Sequence, residues 1–154
     1  MFCGKQKKNP EFERCLRSQK IKVFSRGKTL AGKELKVAAS DLEQAKITFK
    51  NDNYKWATIQ CYYSMFHSAR ALLYARNYRE RSHHCLIVAI RALYVENKLL
   101  PLHLIEGLQK AKTLRESADY YDQWSKIGVE TILKVAEEFL DKSTQLIRGI
   151  KGDK

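Results

Sequence analysis

Between residues 76 and 91 the chain reads RNYRERSHHCLIVAIR, which sets four arginines and two adjacent histidines around one short apolar run. Arginine and histidine in that mixture suit chemistry on phosphate. Breaking a phosphodiester by proton transfer needs a base near the attacking hydroxyl, an acid for the departing oxygen and a fixed cation for the charge that grows on phosphorus. Imidazole and guanidinium groups supply these. Ser82 is a good N-cap residue, so His83 and His84 fall in the first turn of the helix it opens. That end of a helix attracts an anion and disfavours an imidazolium, so one location both draws phosphate and keeps a histidine neutral and base-competent. The plainer reading is a solvated loop, with Arg76, Arg79 and Arg81 balanced in part by Glu80 and the histidines on the surface. On the residues alone both stay open.

Other chemistries are poorly served. His83 and His84 project about 100° apart on a helix, and neither stands at i, i+4 from Cys61, Cys85 or His103, so no metal centre is expected. No glycine-rich phosphate loop of the G-x-x-x-x-G-K or G-x-G-x-x-G kind is expected, and no cofactor. The Tyr and Phe residues fall on apolar stripes and read as core rather than as a platform for bases.

The elements that must position these groups follow from composition and periodicity. A chain of 154 residues suits one domain, which removes about 70% of its unfolded surface from water. Only 2 prolines and 7 glycines interrupt a sequence that is 44% apolar and 30% charged, and this favours an all-α fold. Leu35, Ala38, Leu42, Ala45 and Phe49 make one stripe of a helix ending near Lys50, and Asp52 or Asn53 caps the next. The second helix, about 54–75, is apolar over most of its circumference, with Trp56, Ile59, Tyr62, Tyr63, Phe66, Ala69, Leu72 and Leu73, and so belongs at the centre or at an oligomer interface. A third helix from Ser82 carries Leu86, Ile90, Leu93 and Asn97 on one stripe before Pro101. A short helix follows from residue 102, and a long one over about 123–147 carries Trp124, Ile127, Ile132, Ala136, Phe139, Leu140 and Ile147. The expected architecture is an antiparallel four- to five-helix up-and-down bundle over residues 30–150, preceded over residues 1–29 by a basic arm or short helix.

The formal charge of +12 is uneven: residues 1–29 hold nine basic and two acidic groups, leaving +7 there. Lys5, Lys7 and Lys8, with Arg81, are the candidate phosphate contacts for a polyanion such as RNA. Cys3, Cys15, Cys61 and Cys85 form no C-x-x-C pair and read as reduced thiols of a cytoplasmic protein. The start MFCGKQKKNP has no apolar core and CLIVAI is too short to cross a bilayer, so neither a signal peptide nor a membrane partner is expected.

Three motifs in order, YYSMFHSARALL (62–73), SHH opening the next helix, and LRESADYY (114–121), resemble the HEPN domain, the higher eukaryotes and prokaryotes nucleotide-binding family, in its small stand-alone prokaryotic form. The resemblance covers roughly Leu35–Leu146. It implies a helical bundle that dimerises and is often encoded beside a nucleotidyltransferase in a toxin and antitoxin pair. Some members are metal-independent endoribonucleases with an R-x(4–6)-H motif, and others are partner or nucleotide-binding modules. Two overlapping pairs meet that spacing here: Arg76 with His83, and Arg79 with His84. Dimerisation would supply a second histidine. The resemblance also takes in Tyr63, His67, Arg115, Asp119 and Tyr120. His67 reads as a structural hydrogen-bonding residue. Arg115 and Asp119, four apart, read as an ion pair that fixes the end of the bundle near the candidate site. The functional expectation is a toxin–antitoxin-type nucleic-acid or nucleotide module with metal-independent endoribonuclease activity. Its alternative is a non-catalytic homodimer that holds a nucleotidyltransferase.

Overall fold

The structure, a computed structural model, describes residues 9–152. Lys5, Lys7, Lys8 and Cys3 lie outside the described residues. The element order is α1 (Pro10–Arg17), β1 (Ile21–Val23), α2 (Gly27–Lys50), α3 (Tyr54–Tyr74), β2 (Tyr78–Glu80), α4 (His83–Ile90) running into a π-helical turn (Arg91–Val95), α5 (Leu102–Tyr120) and α6 (Lys126–Gly152). The fold is an all-α bundle with one two-stranded ribbon.

Helix α3 is its axis. From Ala57 to Leu73 twelve of its residues are buried, so the near-continuous apolar circumference read from the sequence is covered from several sides. Ala38, Leu42 and Ala45 of α2 meet it, as do Leu104, Ile105 and Leu108 of α5 and Val129, Ile132, Ala136 and Phe139 of α6. Small residues along α3 let the backbones approach; of the polar groups this turns inward, the Ser64 hydroxyl donates to Ala38 O at 2.8 Å and the Thr58 hydroxyl to Tyr54 O at 2.7 Å, while the Ser68 hydroxyl has no partner among the described residues. Asn53 caps α3 through its side chain, which accepts from Trp56 N.

Three expectations need correction. The third helix does not carry its stripe to Asn97. It widens into the π turn, where Glu96 N bonds to Arg91 O, and the buried Tyr94 there donates its hydroxyl to Leu72 O at 2.6 Å. Trp56, Trp124 and Ile127 are not core residues but are 51%, 45% and 75% exposed, because α6 begins only at Lys126 and Trp56 lies on the open side of the first turn of α3. The string GKTLAGK (27–33) has the glycine and lysine spacing of a phosphate loop, but Glu34 stands where Ser or Thr would be. The whole string is helix.

The cysteine expectation also fails at two positions. Helix α1 forms because Pro10 sits at its first turn and the Asn9 side chain accepts from Phe12 N at 2.9 Å. It then lies against α4, where Cys15 and Cys85 form a disulfide across 70 residues of sequence. Cys61 stays a free thiol, and burial pushes its pKa up to about 12. With the disulfide in place, cysteine usage no longer argues for a reducing compartment. No described helix is long and apolar enough to cross a membrane.

A cross-link closing a loop of that length stabilises by about 4 kcal/mol through the unfolded chain. Reducing it should therefore lower the melting temperature by roughly 10 °C, read by circular dichroism with and without a phosphine reductant. An unchanged melting curve would mean the bond contributes nothing.

Candidate functional site

Tyr62, Phe66 and Arg70 stand four residues apart along α3 and so share one row of its surface. The first turn of α4 packs against that row. Ser82 is in the extended region and its side chain accepts from Cys85 N at 3.0 Å, which fixes where α4 starts. His83, the first helical residue, is thereby turned inward. Its Nδ1 lies 3.1 Å from the Tyr62 hydroxyl, and its ring stacks on Phe66 at an interplanar angle of 12°.

Burial, reinforced by the charges of Lys112 and Arg115 against an opposing Glu116, pushes the His83 pKa down to about 4. The ring is neutral at pH 7. The Arg115 guanidinium lies 5.0 Å from the Tyr62 ring centroid and also reaches the Tyr63 and Tyr120 rings, with Asp119 as its ion-pair partner at 3.3 Å. Burial raises the Tyr62 pKa and the Arg115 charge works against that rise. A cation beside the phenol favours Tyr62 as the donor to Nδ1, so the His83 proton belongs on Nε2. Nε2 is closed off from solvent and has no hydrogen-bond partner among the described residues, and the same is true of Arg115 Nε. A buried polar atom left unpaired costs stability, which makes both atoms candidates for a ligand contact.

Phe66 links this pocket to a second charged group. The Arg70 guanidinium lies 4.5 Å from the Phe66 centroid. It donates to Glu80 at 2.6 Å and to Glu34 at 3.3 Å. His67 Nδ1 approaches the same Glu34 oxygen at 3.3 Å, and its Nε2 is 4.0 Å from Asp41. Burial works to raise the Glu34 carboxyl, but His67 and Arg70 outweigh it and hold it below its ordinary value. At Asp41 burial wins and the pKa rises. His67 thus ties α2 to α3.

The arginines of the R-x(4–6)-H spacing lie elsewhere. Arg76 follows the end of α3, 4.9 Å over the buried Tyr94 ring, ten residues and ~15 Å along the helix direction from Phe66. Asn77 has a positive φ of 58°. Its side chain accepts from Lys28 N at 3.0 Å and its carbonyl from Phe24 N at 2.7 Å, so it joins the start of α2 to the ribbon. Arg79 sits 5.2 Å over Phe24, and Arg81 is exposed. His84 points away from His83 into an open depression of about 520 Å³ lined by Glu11, Arg14, Arg17, Lys20 and the disulfide. The cations whose charge bears on His83 are Lys112 and Arg115 on α5. Lys112, Glu116, Arg70, Glu34 and the roles of Tyr62 and Phe66 were not singled out from the sequence as site residues. Only the four-residue row 62, 66, 70 hinted at them. Among the described residues no three His, Cys, Asp or Glu side chains are grouped to hold a metal.

A helical bundle with a histidine at the start of α4 and an Arg-x-x-x-Asp-Tyr segment on α5 defines a HEPN-like fold. Residues 33–146 match the HEPN domain family, and the chain belongs to it. Two proteins of Methanocaldococcus jannaschii, both named "Putative toxin", are similar to it. One is 31% identical over 75% of this chain and 87% of its own length, the other 25% identical over 75% and 80%. A UPF0332 protein of Thermotoga maritima is 26% identical over 71% of this chain and 85% of its own. The crystal structure of TT1696 from Thermus thermophilus superposes with a TM-score of 0.64 over 75% of this chain and 97% of that one. At 18% identity it supports the fold.

Two outcomes follow from the site. The folded-state pKa of His83 lies below the ordinary 6.5, so its contribution is complete above that value and is lost as pH falls from 6.5 through 4. The urea midpoint of the parent should drop more steeply over that window than that of His83→Gln; parallel profiles would contradict the burial. Arg70→Met should cost about 2 to 3 kcal/mol by leaving Glu80 unpaired. Adding Glu80→Gln should recover part of it, and additive losses would argue against the pair.

Proposed function

We propose that this chain is the toxin component of a toxin–antitoxin-type pair and cleaves RNA without a metal, with His83 as the proton-transfer group. The observation that carries the reading is the unpaired, neutral Nε2–H of His83, held by Tyr62 behind it and flanked by Lys112 and Arg115. In the cleavage the 2′-oxygen bonds to phosphorus as the bond to the 5′-oxygen breaks. The proton lost by the 2′-hydroxyl is balanced by one gained at the 5′-oxygen. His83 gives the second proton from Nε2 to the leaving oxygen as its Nδ1 takes the Tyr62 hydroxyl proton, which leaves a phenolate beside the Arg115 guanidinium, and Lys112 and Arg115 offset charge on the phosphoryl oxygens. The first passes to solvent water, and the Tyr62 phenolate regains a proton from solvent. Nε2 is shielded, so a substrate reaches it only by displacing the side chains around it.

Exposed aromatic groups abut this pocket. Tyr63, Tyr120, Tyr121, Trp124 and Trp56 are between 38% and 71% exposed, and Arg115 touches the first two. Such a patch suits a protein interface, and a homodimer formed through it would bring two His83 pockets near one another. The same patch is what favours the second reading, a non-catalytic module that holds a nucleotidyltransferase. Relatives named as toxins and the family membership support the first.

The test is cleavage of a labelled RNA in EDTA. The parent should cut, His83→Ala and Arg115→Ala should each lose 100-fold or more, on the order expected for a proton-transfer group or an oxyanion cation, and Arg76→Lys should keep near-parental activity. No cleavage by the parent would overturn the enzyme reading, and loss confined to Arg76→Lys would move the site to the other end of α3.

A further inference from the structure

The β1–β2 ribbon pairs Ile21 with Glu80, Lys22 with Arg79 and Val23 with Tyr78. Arg81 N donates to Lys20 O at 2.8 Å, which carries the pairing one step further. Side chains alternate across a strand, and here the alternation is sorted by charge. Ile21 is 1% exposed and Glu80, opposite it, is turned in to Arg70. Lys20, Lys22, Arg79 and Arg81 are left on the other face as a square of four cations, about 5 Å apart across the strands and about 7 Å apart along them. Like charges directly opposite on a ladder are destabilising. Among the described residues none of the four has an acidic side chain within 4 Å to offset this.

We infer that this face binds the phosphate backbone of single-stranded RNA, each cation pair straddling the chain. Three features select that polymer. The cation square continues into the depression where Arg14 and Arg17 stand beside Lys20, with Glu11 the one acid there, so the charge forms a track rather than a point. Phe24 follows Lys22 on the same face and carries the Arg79 guanidinium on its ring, an aromatic and cationic surface on which a base can stack. Arg81 is two residues from His83, so a strand lying along the ribbon is led to the start of α4. The choice of RNA rests on the proposed function, but the surface is separate from the His83 pocket, and β1 and α1 fall outside the family-matched residues 33–146.

The test uses a short 2′-O-methylated single-stranded oligonucleotide, which has no free 2′-hydroxyl and survives any nuclease activity, and reads its affinity by fluorescence anisotropy across a salt series. Each phosphate neutralised contributes about 0.7 to the slope of log affinity against log salt. Replacing all four cations by Gln should therefore flatten the slope by about 3, while Arg79→Lys/Arg81→Lys and His83→Ala keep the parental slope. Lys22→Gln/Arg79→Gln should melt no lower than the parent, since it removes a repulsion. An unchanged slope in the fourfold variant, or a parent that does not bind the oligonucleotide at low salt, would overturn the proposal. Salt-steep binding by a parent that fails to cut unmodified RNA would overturn the nuclease reading and leave the ribbon standing.

Discussion

Burial of the His83 ring against Tyr62 and Phe66 sets three properties of the molecule together. It holds α4 at a defined rotation against α3, it keeps the imidazole uncharged, and it leaves one ring nitrogen without a partner. A charged imidazolium in that place would meet Lys112 and Arg115 in a poorly solvated pocket, so the packing and the protonation state depend on one another. Helix α5 is tied in through the same tyrosine, because Arg115 lies on the far side of the contact that Tyr62 makes with His83.

The charges are arranged so that attraction lies inside and repulsion outside. Glu34 and Glu80 are compensated by Arg70 and His67 between α2, α3 and β2, and a set of that kind is expensive to break rather than strongly stabilising to have. Turning Glu80 inward removes the one acid of β2 from the outer face of the ribbon, which is why that face is left wholly cationic. The disulfide supports the same end of the molecule, since α1 alone presents little apolar area and Cys15 fastens it to α4.

The long helices were legible because each has an apolar stripe at helical spacing, and α3 stood out as central because its stripe closes into a full circumference. What the periodicity could not carry was anything decided through space. The two strands are three residues each and too short to show alternation, so Lys20 to Val23 read as part of an arm. The Cys15–Cys85 pairing depends on α1 docking on α4, which no spacing encodes. The arginines of the 76–81 segment are near His83 along the chain but are carried away from it by the left-handed turn at Asn77 and the ribbon after it. The cation that does approach, Arg115, comes from thirty-two residues further on. Trp56 and Trp124 looked like core because aromatic side chains on an apolar stripe are indistinguishable from exposed ones until the neighbouring helix ends are placed.

The claim on which the account turns is that His83 is a neutral imidazole protonated at Nε2, and nitrogen-15 NMR of the two ring nitrogens across a pH series measures this directly. The account requires a protonated Nε2 and an accepting Nδ1 that persist below pH 5 and titrate near 4, with the Nδ1 shift moving when Tyr62 is replaced by Phe. An imidazole that titrates near 6.5, with both tautomers averaging and no response to Tyr62→Phe, would contradict it.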